Sequence, residues 1–87
     1  MAKYRVTFKK SVAKDLRGIP SNDVKRILKR IDALAENPRG EDCAKLSAQE
    51  RYRVRHGVYR IVYEIRDETL IVQAVKVAHR SRVYKSN

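Results

Sequence analysis

The sequence holds one cysteine, two histidines, three glycines and two prolines among 87 residues, and no acidic residue follows Glu68. The lone Cys43 excludes an internal disulfide and points to a reducing, cytoplasmic setting. It lies in a polar stretch with no histidine close by to activate it, and reads as an incidental small residue rather than a nucleophile. His56 and His79 do not form a metal-ligand spacing, so neither a metal nor another cofactor is expected. No apolar run approaches the ~18 residues needed to cross a bilayer, and the N-terminal residues carry no apolar segment of the secretory kind, so a soluble protein is expected. Repeats, low-complexity segments and linkers are absent, which predicts one domain over residues 1–87 with room for one site.

What is present is positive charge. Lys and Arg number 21 against 10 Asp and Glu, a formal net charge of +11 with a pI near 10.2. Residues 1–50 carry 12 bases and 7 acids, and residues 51–87 carry 9 and 3. The second part is the more one-sided, because its acids cluster at Glu64, Asp67 and Glu68 while Lys76, Arg80, Arg82 and Lys85 stand beyond them. Such a field attracts polyanions, with nucleic acid the leading class. An acidic protein partner fits the same field, and excess base also serves solubility alone.

Tyr4, Val6 and Phe8 alternate with Arg5 and Thr7 as in a half-buried strand. Ser11 is placed to cap a short helix running to Arg17, which Gly18-Ile19-Pro20 ends. A second helix over 21–35, with Ser21 or Asn22 at its cap, carries Val24, Ile27, Leu28, Ile31, Leu34 and Ala35 on one apolar stripe. Its bases Lys25, Arg26, Lys29 and Arg30 read as the solvated face of an amphipathic helix. From Asn37 to Gln49 the chain is polar and reads as a loop anchored by Leu46. Three strands follow, at about 51–55, 59–66 and 69–77, and their short connections demand an antiparallel meander. The predicted class is α+β: a strand, a helical hairpin, then three strands, with the helices on one sheet face and the other face partly open.

Residues two apart on a strand share a face, so Arg51, Arg53 and Arg55 project together while Tyr52 and Val54 point inward. On the next strand Tyr59, Ile61, Tyr63 and Ile65 take one face, and Arg60, Val62 and Glu64 the other, which places Arg60 beside Arg53 and Arg55. Planar guanidinium forks suit bidentate phosphate contacts. Arginine stems also cover apolar surface on an exposed sheet face, which is the alternative reading. Of the two histidines, His79 stands beside Arg80 and is the better placed to titrate near neutrality at a site, whereas His56 reads as a turn residue.

Taken together, Tyr4-Arg5-Val6-Thr7-Phe8, Ala13-Lys14-Asp15-Leu16, Asn37-Pro38-Arg39, Lys45-Leu46, Tyr52-Arg53-Val54-Arg55, Gly57-Val58-Tyr59-Arg60-Ile61-Val62-Tyr63 and His79-Arg80-Ser81-Arg82-Val83-Tyr84 resemble the RelE/ParE toxin superfamily of toxin–antitoxin systems. The Tyr-Arg-Ile-Val-Tyr strand and the terminal Arg-x-x-Val-Tyr are the most specific pieces. The resemblance implies a microbial ribonuclease-like fold, neutralisation by a cognate antitoxin, and, for the RelE branch, cleavage of mRNA in the ribosomal 30S A site without metal. It implies that Arg60 stabilises the phosphate, that Arg80 serves the leaving group, and that Tyr84 stacks on the substrate base, with Arg55 the fourth catalytic candidate. Arg51, Arg53, Lys76, His79 and Arg82 are the expected RNA contacts. Arg53 and Arg55 match positions where the best-known RelE enzymes carry lysine. Arginine supplies charge but is a poor base, because its pKa stays above ~12. Two other classes stay open at this point: a ParE-like toxin that inhibits DNA gyrase, and a basic RNA-binding module without catalysis.

Overall fold

The alternating first segment forms β1 (Arg5–Phe8), followed by α1 (Lys10–Arg17), α2 (Ser21–Ala33), β2 (Cys43–Lys45), β3 (Arg51–His56), β4 (Tyr59–Arg66) and β5 (Ile71–His79). The structure is a computed structural model and describes residues 3–46 and 51–80. The five strands make one sheet in the order β1-β5-β4-β3-β2. β3, β4 and β5 are the expected antiparallel meander, and β1 lies parallel to β5 with Arg5 opposite Ile71 and Phe8 opposite Ala74. The class is α+β, as the patterning predicts.

Val12 of α1 and Ile27, Ile31 and Leu34 of the α2 segment pack on Tyr52, Val54, Ile61, Tyr63, Ile65, Val72, Ala74 and Val77 of the sheet. The helices therefore cover one face, and the apolar sets expected on β3 and β4 are those buried. Leu28, assigned to the stripe, is instead 38% exposed, since it lies at the margin of a helix that turns only Ile27 and Ile31 fully inward. Two side-chain clamps hold the chain after α2. The Tyr63 hydroxyl donates to the Pro38 carbonyl at 2.6 Å, and Arg39 grips both Asp67 oxygens at 3.1 and 2.9 Å while its Nε donates to the Tyr52 hydroxyl.

Three local expectations give way. The stretch read as a loop contains β2, which pairs antiparallel with β3. Three residues are too few to show alternation, and it is the open edge of β3 that makes them a strand. Leu46 is 44% exposed rather than an anchor. Neither helix has a side-chain cap: the caps are the extended residues Lys9 and Pro20. Ser11 lies inside α1 instead, and its hydroxyl donates to the Val75 carbonyl at 3.2 Å.

That bond marks an irregularity in β5. Val62 faces Lys76, but the next residue, Tyr63, faces Ala74, so Val75 is an extra residue in the ladder. Such a bulge reverses which face each later residue takes. Core positions accordingly run Val72, Ala74 and then Val77.

Candidate functional site

The open face can be read as rungs running across three strands. Arg51, Glu64 and Gln73 form the first, Arg53, Val62 and Lys76 the second, and Arg55, Arg60 and Ala78 the third. In the first rung Arg51 is bound to Glu64 through Nε and Nη2, and Arg66 Nη2 lies 3.6 Å from the same carboxylate. The Arg51 contact, with the nearby positive charges, holds the Glu64 carboxyl below the usual carboxylate range. Charge at this end is therefore balanced, and Arg51 is committed to a carboxylate.

Toward the other end the balance fails. Arg55 and Arg60 are directly opposed across the β3–β4 hairpin, an arrangement that repulsion of like charges makes unfavourable by itself. The hairpin is closed by Gly57-Val58, and Gly57 has φ +61°, as the first position of the two-residue turn with a leading glycine requires. Arg80 comes alongside because its backbone N–H donates to the Val58 carbonyl at 2.7 Å. Arg55, Gly57, Tyr59, Arg60 and Arg80 together line a cavity of about 270 Å³. Among the described residues its walls hold three guanidiniums, those of Arg55, Arg60 and Arg80. Arg60 is 3% exposed, whereas Arg55 and Arg80 are open to solvent. Among the described residues no carboxylate lies within ion-pair distance of Arg53, Arg55, Lys76 or Arg80. Guanidinium forks turned toward one cavity suit an anion shared between them.

The structure thus brings Arg55, Arg60 and Arg80 to one cavity, and sets Arg53 and Lys76 on the adjacent rung. It does not bring His79 there. His79 is opposite Tyr59 and meets that ring edge-on, with centroids 6.0 Å apart, so it takes the register of the core face rather than that of Arg60. Arg82 and Tyr84 lie outside the described residues. Gly57 and Tyr59 were not assigned to a site from sequence. The turn glycine is the one signal that could have found them, because it fixes where the hairpin ends. Among the described residues no cluster of histidine, cysteine or carboxylate side chains could hold a metal ion, and no helix is long and apolar enough to cross a membrane.

Known proteins resemble this chain along nearly its whole length. The family model described as the ParE toxin of the type II toxin–antitoxin system parDE matches residues 6–84. The toxin RelE3 of Methanocaldococcus jannaschii is 34% identical over 86 residues, covering 92% of this chain and 94% of the relative. Among solved structures, a chain of the toxin–antitoxin complex RelBE2 from Mycobacterium tuberculosis superposes with a TM-score of 0.80 at 26% identity, covering 90% of this chain and 99% of that one. The isolated RelE toxin of E. coli gives 0.77 at 27% identity, covering 94% and 92%. A whole-length family match and a shared fold agree, and the chain belongs to the ParE toxin family of type II toxin–antitoxin systems, as a RelE-like toxin of the RelE/ParE superfamily.

Proposed function

We infer that this toxin is a ribosome-dependent, metal-independent mRNA endoribonuclease that cuts in the A site and so stops translation. The observation that carries the reading is the cavity in which the three guanidinium side chains of Arg55, Arg60 and Arg80 converge. In the reaction, the ribose 2′-oxygen forms a bond to the adjacent phosphorus as the bond to the leaving 5′-oxygen breaks. The 2′-hydroxyl loses its proton and the 5′-oxygen gains one, leaving a 2′,3′-cyclic phosphate and a 5′-hydroxyl. Negative charge grows on the phosphate oxygens in between, and fixed donors aimed at those oxygens lower the barrier. Buried Arg60 supplies the fixed charge, Arg55 opposes it across the hairpin, and Arg80 is placed at the leaving group. Arg53 and Lys76 hold the flanking phosphates, and the terminal residues Arg82 and Tyr84 complete the RNA contact, Tyr84 by stacking on a base.

Arginine gives up a proton reluctantly. With His79 on the other face, the cavity's own side chains supply charge and orientation rather than a strong base. That division fits an enzyme whose substrate geometry, and part of whose proton transfer, come from the ribosome. The partner that silences it is an antitoxin with an acidic contacting segment, which complements a net charge of +11. The similar RelBE2 of Mycobacterium tuberculosis is a toxin–antitoxin complex.

The test is primer extension on a defined mRNA in programmed ribosomes. Wild-type protein is expected to cut within the A-site codon, Arg80→Ala to lose at least ~100-fold in rate with its fold intact, and mRNA without ribosomes to stay whole. A folded wild-type protein that leaves the ribosomal mRNA intact sinks the reading. The matching family model takes its name from ParE, which favours gyrase inhibition as the second reading. A supercoiling assay with this protein then decides it.

A further inference from the structure

β5 carries the bulge that puts Arg80 in the cavity, and α1 carries two side chains that bond to the backbone there. Ala74 still belongs to the ladder with β1, since its carbonyl accepts from Lys9 N–H at 3.0 Å. In an unbroken strand each residue turns its N–H and C=O to one edge and the next residue turns them to the other. Val75 and Val77 would then address β4. Instead the Val75 carbonyl accepts from the Ser11 hydroxyl at 3.2 Å, and the Val77 N–H donates to Asp15 Oδ2 at 3.1 Å. Ser11 and Asp15 are one helical turn apart and continue the edge where β1 stops. Both bonds exist only in the bulged register.

The consequence reaches the cavity through parity. Before the bulge the odd residue Gln73 shares the open face with Glu64. After it the even residues Lys76 and Ala78 share that face with Val62 and Arg60, and Arg80 follows in the same series. In an unbroken register Val77 would stand opposite Arg60 and Ala78 opposite Tyr59, so that His79 would share the face of the guanidiniums and Arg80 that of Tyr59. We propose that Ser11 and Asp15 are positioning residues that lock the Val75 bulge and thereby deliver Arg80 and Lys76 to the anion-binding face. This rests on reading the cavity as a phosphate site.

The experiment is NMR on the wild-type protein and on Asp15→Asn, Asp15→Ala and Ser11→Ala variants. Cross-strand contacts of Val62 with Lys76 and of Arg60 with Ala78 report the register. The arginine Nε–H signals report titration with inorganic phosphate. In the wild type, phosphate is expected to shift Arg55, Arg60 and Arg80 together. Asp15→Asn keeps an acceptor for Val77 N–H and should behave as wild type. Asp15→Ala should weaken the Val62–Lys76 contact, abolish the Arg80 response while Arg55 still responds, and raise the phosphate Kd roughly tenfold. A general loss of stability would not single out Arg80 in this way. A folded Asp15→Ala with both contacts intact and wild-type phosphate binding overturns the proposal. Should that variant not fold, Ser11→Ala, at an exposed position, is expected to show a smaller loss of the same kind, and no change there overturns it equally. If phosphate shifts none of the wild-type arginines, the phosphate reading of the cavity falls, while the cross-strand contacts in the variants still decide whether α1 sets the register.

Discussion

Asp67 shows how single residues tie distant segments together. Its carboxylate takes two bonds from Arg39 and one from the Tyr4 hydroxyl, joining the segment after α2 and the approach to β1 to the turn beyond β4. The Arg39 bonds, followed by that of Tyr4, hold the Asp67 carboxyl below its ordinary range. Arg30 does the same to Asp42, and Arg51 to Glu64. A carboxyl depressed on folding contributes stability above its unfolded value, and that contribution disappears as pH falls through the folded one. The melting temperature is therefore expected to fall below about pH 4. Asp67→Asn should lower it at pH 7 by a few degrees at most, as fits an exposed pair, and flatten the acid decline. Thermal unfolding followed by circular dichroism from neutral pH downward checks this, and an Asp67→Asn acid limb parallel to the wild type counts against it. Most single positions on β3 and β4 were legible in the sequence, because a strict period of two sorts Arg53, Arg55 and Arg60 from Tyr52, Val54 and Ile61. The Arg39 clamp was not, since nothing local in Asn37-Pro38-Arg39 names a carboxylate 28 positions away.

At the scale of elements, the β3–β4 hairpin depends on Gly57. Its φ of +61° lies in the left-handed region, and a Cβ there would meet nothing within 4 Å. The whole cost of Gly57→Ala is therefore conformational, about 1 kcal/mol. Urea denaturation should show a lower midpoint with an unchanged slope, and an unaltered midpoint refutes the assignment. The longer elements could be read from pattern alone, and the short or irregular ones could not. β2 is made by its neighbour's edge. The caps at Lys9 and Pro20 use backbone conformation instead of a side chain. Most consequential is the bulge at Val75, because alternation carried through β5 assigns His79 and Arg80 to the wrong faces. Its stabilising contacts come from α1, more than 60 positions earlier in the chain.

For the whole molecule, charge is the governing quantity. A net charge of +11 opposes compactness and attracts polyanions, and salt screens both effects. Raising NaCl from about 50 to about 500 mM should raise the melting temperature while weakening RNA binding. If three or four phosphates are held, log K should fall against log salt with a slope near −2 to −3. Arg55→Ala should reduce that slope by about 0.7, and Arg51→Ala, whose partner is Glu64, should hardly change it. Fluorescence anisotropy with a short RNA measures both, and equal effects of the two substitutions would mean that the charge is not localised as the rungs imply. The parallel pairing of β1 with β5 also has a temporal meaning. A chain made from its N-terminus exposes Val6 long before Val72, its register partner, has been synthesised. The edge of the sheet stays unmatched through most of translation, α1 has no bulge to hold, and Arg80 has no cavity to enter. The cationic face is thus among the later parts of the molecule to come into being, and its three guanidiniums cannot converge until β5 has been delivered.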